Sequence, residues 1–432
     1  MDLPCGTQFL ADLQSPGPNE LKDQKLGRPY FGKYWDSPSL FAPAPPTREG
    51  WERRHELSTA TPALIAELRK AGYEIASAEM LGHGMFHTVY VLKLKDNSEL
   101  LVRISFNFRT DAGSRGWAES KMKRETAVLP LLHSNPFIPN VIHCSPSTEN
   151  DVISPYMILQ RLPGVSLGEE GYKSILSSIV GQEHFVRSLA EAFVQVFSVT
   201  LPEIGSVVGL TPDGQPVIGS LIDTGETDHI VAEGPVKTIE EYLDAMIVLA
   251  NVRNMLESVN HKQNPTPDDP DLPSLMNRLR TLAVSLIPKD NTLARIALVR
   301  SDTNADNILI YDGVISGLID WERSAALPAY LAARYSRFLR SDGIWDPRFE
   351  SRDRKMNRYP EEWPTTEQEF ENFREIFRNA VSKLSPEYSE ALHKGGKLRQ
   401  LFEWLEFASW SGQTTWDGCD RWERATRSAL EQ

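Results

Sequence analysis

The sequence predicts an α+β protein in which a small β-rich portion carrying one helix precedes a larger, mainly helical portion. Three observations predict it. Thr88-Val-Tyr-Val-Leu-Lys-Leu94 and Leu100-Leu-Val-Arg-Ile-Ser105 read as strands on either side of Lys95-Asp-Asn-Ser98, which has turn composition. A helix is expected over Ala118 to Leu132, with Pro130 near its end as a kink or stop. Beyond the β-rich portion the sequence reads as mostly helical, best over 185–199 and 239–259, and helical again, with many aromatics, over 367–431.

The elements follow in order. Residues 1–60 are rich in Pro and aromatics and read as an extended arm. Thr61 and Pro62 suit a helix start, and Leu64, Ile65, Leu68 and Ala71 share helical spacing. Ala76 to Leu81 leads as a strand into Gly82-His-Gly84. Asp151 to Leu162 reads as strand, then a bend at Pro163-Gly164. Residues 264–273 read as a loop between helices, and 307–320 as two short strands around Asp312-Gly313. These boundaries divide the chain into an arm (1–60), a β-rich lobe (61–163) and a helical lobe (164–432). A nucleotide held between two such lobes is a common site architecture.

Composition narrows the function classes. The 432 residues are 41% hydrophobic and 24% charged, ordinary for a globular protein of about two domains. A net charge of -13 argues against nucleic acid or an anionic membrane as partner. Cys5, Cys144 and Cys419 are scattered and odd in number, which speaks against a disulfide framework or a zinc site. No stretch reads as a signal segment or a membrane span, so a cytoplasmic location is expected.

The chemistry concentrates in Leu298-Val-Arg-Ser-Asp302-Thr-Asn-Ala-Asp-Asn307-Ile-Leu-Ile310, followed thirteen residues after Asn307 by Ile319-Asp320-Trp-Glu322. Phosphoryl transfer needs such a set: one carboxylate to orient the attacking hydroxyl and take its proton, and an amide with a second carboxylate to hold the Mg²⁺ ions that bridge the phosphates. A tight loop can present Asp302 and Asn307 together, and a strand-turn-strand can return Asp320 beside them.

This segment resembles the catalytic loop of the aminoglycoside phosphotransferase (choline/aminoglycoside kinase-like) family, whose pattern is H-G-D-x-x-x-x-N-I-L followed by I-D-W/F-E. The resemblance implies a protein-kinase-like two-lobed fold, Asp302 as the catalytic carboxylate, and Asn307 and Asp320 as metal ligands. Leu327 to Tyr335 looks like the helix that follows in fungal members. One departure stands out: Arg300 replaces the family's His. A guanidinium can also brace the loop, against Asp320 for example, while adding a fixed charge near Asp302.

The N-terminal half points the same way. Leu81-Gly82-His83-Gly84-Met85-Phe86-His87 resembles a kinase Gly-rich loop, implying that Gly82 and Gly84 let the backbone approach phosphates. Arg103 falls where kinases carry their strand Lys. Glu125 lies on an otherwise apolar helical stripe with Met122, Leu129 and Leu132, so it needs a partner, and Arg103 is the natural one. Ser154 to Gly164 resembles a hinge, with main-chain groups around Gln160 to Leu162 expected to read adenine. His83 and His87 read as ordinary turn and strand residues rather than a metal site, and Trp404, Trp410, Trp416 and Trp422 as core and cleft wall.

The expected function is transfer of the γ-phosphate of ATP, with Mg²⁺, to a hydroxyl of a small molecule. The competing reading is a catalytically degraded kinase-like binding or scaffold protein, with Arg300 as its mark. A peptide kinase fits less well, because residues 323–340 lack a long activation segment and run straight into an expected helix.

Overall fold

The computed structural model describes residues 60–83, 87–105, 112–152, 154–168, 175, 179–222, 230–232, 234–261, 271–339, 343–349, 367–411 and 413–432. The arm, apart from Ala60, and Gly84 lie outside them. The described residues form two compact units: 60–133 and 139–162 contribute to the first, and 134–138 with those from 163 onward to the second.

The first unit is an antiparallel sheet with two helices. Helix α1 (Ala60–Lys70) precedes β1 (Ile75–His83), β2 (His87–Leu94) and β3 (Glu99–Ser105). Helix α2 (Ala112–Val128) follows, then β4 (Val141–Ser145) and β5 (Tyr156–Gln160). The sheet order is β1-β2-β3-β5-β4. Alternation in β2 and β3 turns Tyr90, Leu92, Val102 and Ile104 to one face, where Leu64, Ile65 and Leu68 of α1 pack with Tyr156 and Ile158. The Tyr156 hydroxyl donates to Glu67 at 2.6 Å, which secures α1. Helix α2 starts six residues before the expected Ala118, and its last four expected residues, Leu129–Leu132, wind instead as a 3₁₀ turn. Pro130 explains this, since it has no N–H for an α-helical bond. The strand expected from Asp151 begins only at Tyr156.

The second unit is mainly helical. It opens with β6 (Val165–Ser166), α3 (Ile179–Phe197) and β7 (Thr200–Leu201). Strands β8 (Ser206–Leu210) and β9 (Pro216–Gly219) form a hairpin, and β10 (Leu221–Ile222) pairs with β11 (Ile230–Ala232). Helices α4 (Ile239–His261) and α5 (Leu272–Leu286) lead to β12 (Ile296–Arg300), β13 (Ile308–Tyr311), β14 (Val314–Leu318) and β15 (Ser324–Pro328). A short α6 (Ala329–Ala332) precedes α7 (Glu367–Leu384), α8 (Pro386–Lys394), α9 (Gly396–Ser411) and α10 (Gln413–Leu430). Trp404, Trp416 and Trp422 are buried core, while the side chain of Trp410 lies outside the described set.

Two glycines set the site's scaffold. Gly313 and Asp312, at φ 77° and 53°, close the β13–β14 hairpin as an Asp-Gly turn. Gly164, at φ 103°, lets β6 lie on β13: a Cβ there would come 2.1 Å from the Ile310 carbonyl oxygen. The helix expected over Leu327 to Tyr335 is corrected. Leu327 and Pro328 pair with Ala297 and Ile296 as the end of β15, and the helix is limited to Ala329–Ala332. Burial of the Ser324–Pro328 run against β12 outweighs its helical spacing. Among the described residues, no helix is long and apolar enough to cross a membrane.

The α+β class follows from these elements. A twisted antiparallel sheet with one helix between its third and fourth strands, then a helical unit carrying a strand-loop-hairpin, is the element order of a protein-kinase-like fold.

Candidate active site

In the first unit the structure brings Arg103 and Glu125 together. Arg103 is on β3 and Glu125 on α2; Nη1 donates to Oε1 at 2.6 Å. Glu125 is only 2% exposed, so this carboxylate depends on its partner. A third residue joins them. The other Arg103 terminal nitrogen lies 2.9 Å from His87 Nδ1. A guanidinium only donates, so Nδ1 accepts and His87 is the neutral Nε2–H tautomer. The sequence reading gave His87 no role. Its signal lay in strand register: Val89 is opposite Arg103, so His87, two residues away on the same face, is the diagonal neighbour.

Gly82 sits at the end of β1 opposite Val89, past a register shift after Met80. Among the described residues a Cβ there would meet nothing within 4 Å, so no contact with them demands a glycine. Gln160 ends β5; its N–H donates to the Asn140 carbonyl at 2.9 Å, and its side-chain oxygen accepts from the Asn140 amide. Arg161 is paired with Glu99. The main-chain N–H of Leu162 makes no hydrogen bond among the described residues.

In the second unit Asp302 lies just past β12, in the turn before the 3₁₀ turn Ala305–Asn307. The Asn304 side chain caps that turn by accepting the Asn307 N–H at 3.1 Å. The Ser301 N–H donates to the Arg323 carbonyl at 2.9 Å. Strand β14 then returns the chain, and the Ile319 N–H donates to the Asn307 carbonyl at 3.0 Å. This bond fixes the main chain of Asn307 beside that of Ile319 and Asp320. Asp320 adopts φ 67°, a left-handed conformation that a side chain other than glycine rarely takes.

Arg300 ties these pieces together. It is 4% exposed, and its guanidinium donates to the main-chain carbonyls of Ile319, Asp320 and Asn307. The Asp320 bond is 3.2 Å and the Asn307 bond 3.4 Å. Its Cζ lies 5.7 Å from the centre of the Trp321 ring, a cation–π contact. The brace reaches the main-chain oxygens of three residues on the returning chain and the loop. The sequence pointed to a brace but could not tell which atoms it would hold.

Asp302, Asn307 and Asp320 are all partly exposed, so their side chains are accessible. Among the described residues, neither the Asp302 carboxylate nor the Asn307 side-chain amide makes a hydrogen bond. A carboxylate and an amide left open on a braced loop can accept protons or ligate a hard cation through oxygen.

No family model matches the chain. Over 373 residues, 84% of the chain and 87% of the relative, it is 28% identical to the Clavilactone A biosynthesis cluster protein Y of Ampulloclitocybe clavipes. Similar solved structures include aminoglycoside phosphotransferase APH(4)-Ia, at 14% identity and TM-score 0.48, covering 85% of this chain and 99% of that one. ADP-bound aminoglycoside phosphotransferase APH(2'')-Ib is also similar, at 14% identity and TM-score 0.44, covering 80% and 89%.

Proposed function

We propose that this chain is a small-molecule kinase of the aminoglycoside phosphotransferase type, moving the γ-phosphate of ATP to a hydroxyl group. The observation that carries the reading is the Arg300 brace. It holds the main chains of Asn307 and Asp320 together on the loop that also bears Asp302. A structural turn needs no buried cation on three carbonyls, whereas a catalytic loop needs its geometry fixed in advance.

The residues suit the implied groups. The Asn307 amide oxygen and the Asp320 carboxylate are the hard donors Mg²⁺ takes. The space beside the Gly82 Cα, which no described residue fills, suits a phosphate, and the open Leu162 N–H suits an adenine acceptor. When bound, MgATP would supply the phosphoryl group and neutralise the charge on it. The chain's own part is to position. Asp302 orients the acceptor hydroxyl and takes its proton. Arg103, fixed by Glu125 and His87, offers its charge to the nucleotide phosphates.

Two observations bear on the acceptor. Only Arg323 separates Glu322 from β15, which leaves no segment there for peptide docking and favours a small molecule. The similar fungal protein is called a biosynthesis cluster protein, which favours a secondary-metabolite hydroxyl. The competing reading, a kinase-like binding protein, rests on Arg300 standing where the family has His. Two measurements decide between them: thermal stabilisation by MgADP, and release of ADP from MgATP by wild type and by Asp302→Asn. Binding with turnover lost in Asp302→Asn supports the kinase. Binding with equal, background turnover in both supports the binding protein.

A further inference from the structure

We infer that Thr303 and Ser336 form a clamp that positions Asp302 for phosphoryl transfer, an assignment that rests on the function proposed above. Among the described residues the Asp302 carboxylate has no hydrogen bond, so its neighbours must place it. Upstream, Ser301 and Arg300 are tied as described. Downstream, Thr303 is 3% exposed although Asp302 and Asn304 beside it are partly exposed. Both polar ends of Thr303 are held by one segment. Its carbonyl accepts the Ser336 hydroxyl at 2.9 Å, and its hydroxyl oxygen accepts the Arg337 N–H at 3.0 Å. Ser336 is fully buried.

That segment is itself anchored. The Tyr388 hydroxyl on α8 accepts the Arg334 N–H at 3.2 Å and donates to the Arg334 carbonyl at 2.6 Å. Tyr388 in turn packs edge-on against Phe197, with ring centres 4.9 Å apart, and against Phe377. A continuous run of contacts therefore leads from the helical core to the residue next to Asp302. Thr is suited to this place because its branched Cβ restricts χ1 while its hydroxyl reaches the neighbouring N–H. Thr303 and Ser336 are positioning residues: they touch the loop, not the reacting atoms. A displacement of about 1 Å in such a group can cost about a hundredfold in rate.

The test uses the full chain and MgATP with water as acceptor, read as ADP release. Thr303→Val and Ser336→Ala are expected to lower turnover about tenfold or more. The MgADP affinity of both should stay within about twofold of wild type, and Thr303→Ser should restore turnover. In an Asp302→Asn background, Thr303→Val should lower turnover no further, because both act through one group. Wild-type turnover in the clamp variants, or losses that add to that of Asp302→Asn, would overturn the clamp. If wild type and Asp302→Asn release ADP equally, the kinase reading fails. Amide hydrogen exchange then decides the clamp: faster exchange over residues 301–307 in Ser336→Ala and Thr303→Val but not in Thr303→Ser, with α9 unchanged, supports it, and equal exchange overturns it.

Discussion

Arg300 donates its Nε–H to the main-chain carbonyl of Asp320 at 3.2 Å, so the cation that precedes the Asp302 loop braces the backbone of the returning chain. The five donors of a guanidinium form a rigid planar fork whose separate nitrogens reach carbonyls that are spread apart, whereas an ammonium offers its three donors from one point. Arg300→Ala should destabilise the chain by about 3 kcal/mol in urea unfolding, since it strips charged hydrogen bonds from partly buried carbonyls. Arg300→Lys should recover only part of that loss.

The ion pair between Arg103 and Glu125 gives a second expectation. Removing Glu125 takes away the carboxylate opposite the Arg103 guanidinium, so Glu125→Ala should cost about 3 kcal/mol. Arg103→Ala should weaken MgADP binding, measured by calorimetry. His87→Ala should weaken it less, because Glu125 still holds Arg103 by its shorter bond, 2.6 Å against 2.9 Å.

Much of this was legible in the sequence, and the failures have physical causes. Strands β2, β3, β13 and β14 are short β-branched and apolar runs bounded by turn residues, and the Asp312-Gly313 turn announced its hairpin. Strand β15 was missed because Leu327 to Ala333 is apolar, and a short apolar run does not distinguish a buried strand from a helix. Pairing with β12 decided it. In the site, Asp302, Asn307 and Asp320 stand out by spacing alone. The Thr303–Ser336 contact does not, since 33 residues separate the partners and no motif links them.

Three buried tyrosines predict behaviour in base. Burial, with a smaller contribution from the charge of Glu240, pushes Tyr330 up to about 12. Tyr156 and Tyr388 are also raised, chiefly by burial. The unfolded chain loses these protons near pH 10 while the folded chain keeps them, so the unfolded state binds fewer protons above that pH. Stability is therefore intact below pH 10 and falls from pH 10 towards 12. The slope should approach about 1.4 kcal/mol per pH unit for each tyrosine. Urea unfolding between pH 8.5 and 11.5 checks it, and Tyr330→Phe should flatten the slope.

Gly164 offers a steric test. A Cβ there would collide with the Ile310 carbonyl, and its φ of 103° disfavours any side chain. Gly164→Ala should lower the melting temperature by several degrees, whereas Gly82→Ala, which meets no described residue, should leave it unchanged and weaken MgADP binding instead.

The most direct test of the central claim is phosphate transfer itself. The full chain would be incubated with MgATP carrying heavy oxygen on its γ-phosphate, together with a panel of hydroxylated small molecules and metabolite extracts, and products read by mass spectrometry. The kinase reading predicts at least one species that gains a single labelled phosphate with wild type and not with Asp302→Asn. Tight MgADP binding with no labelled product in any mixture would contradict it.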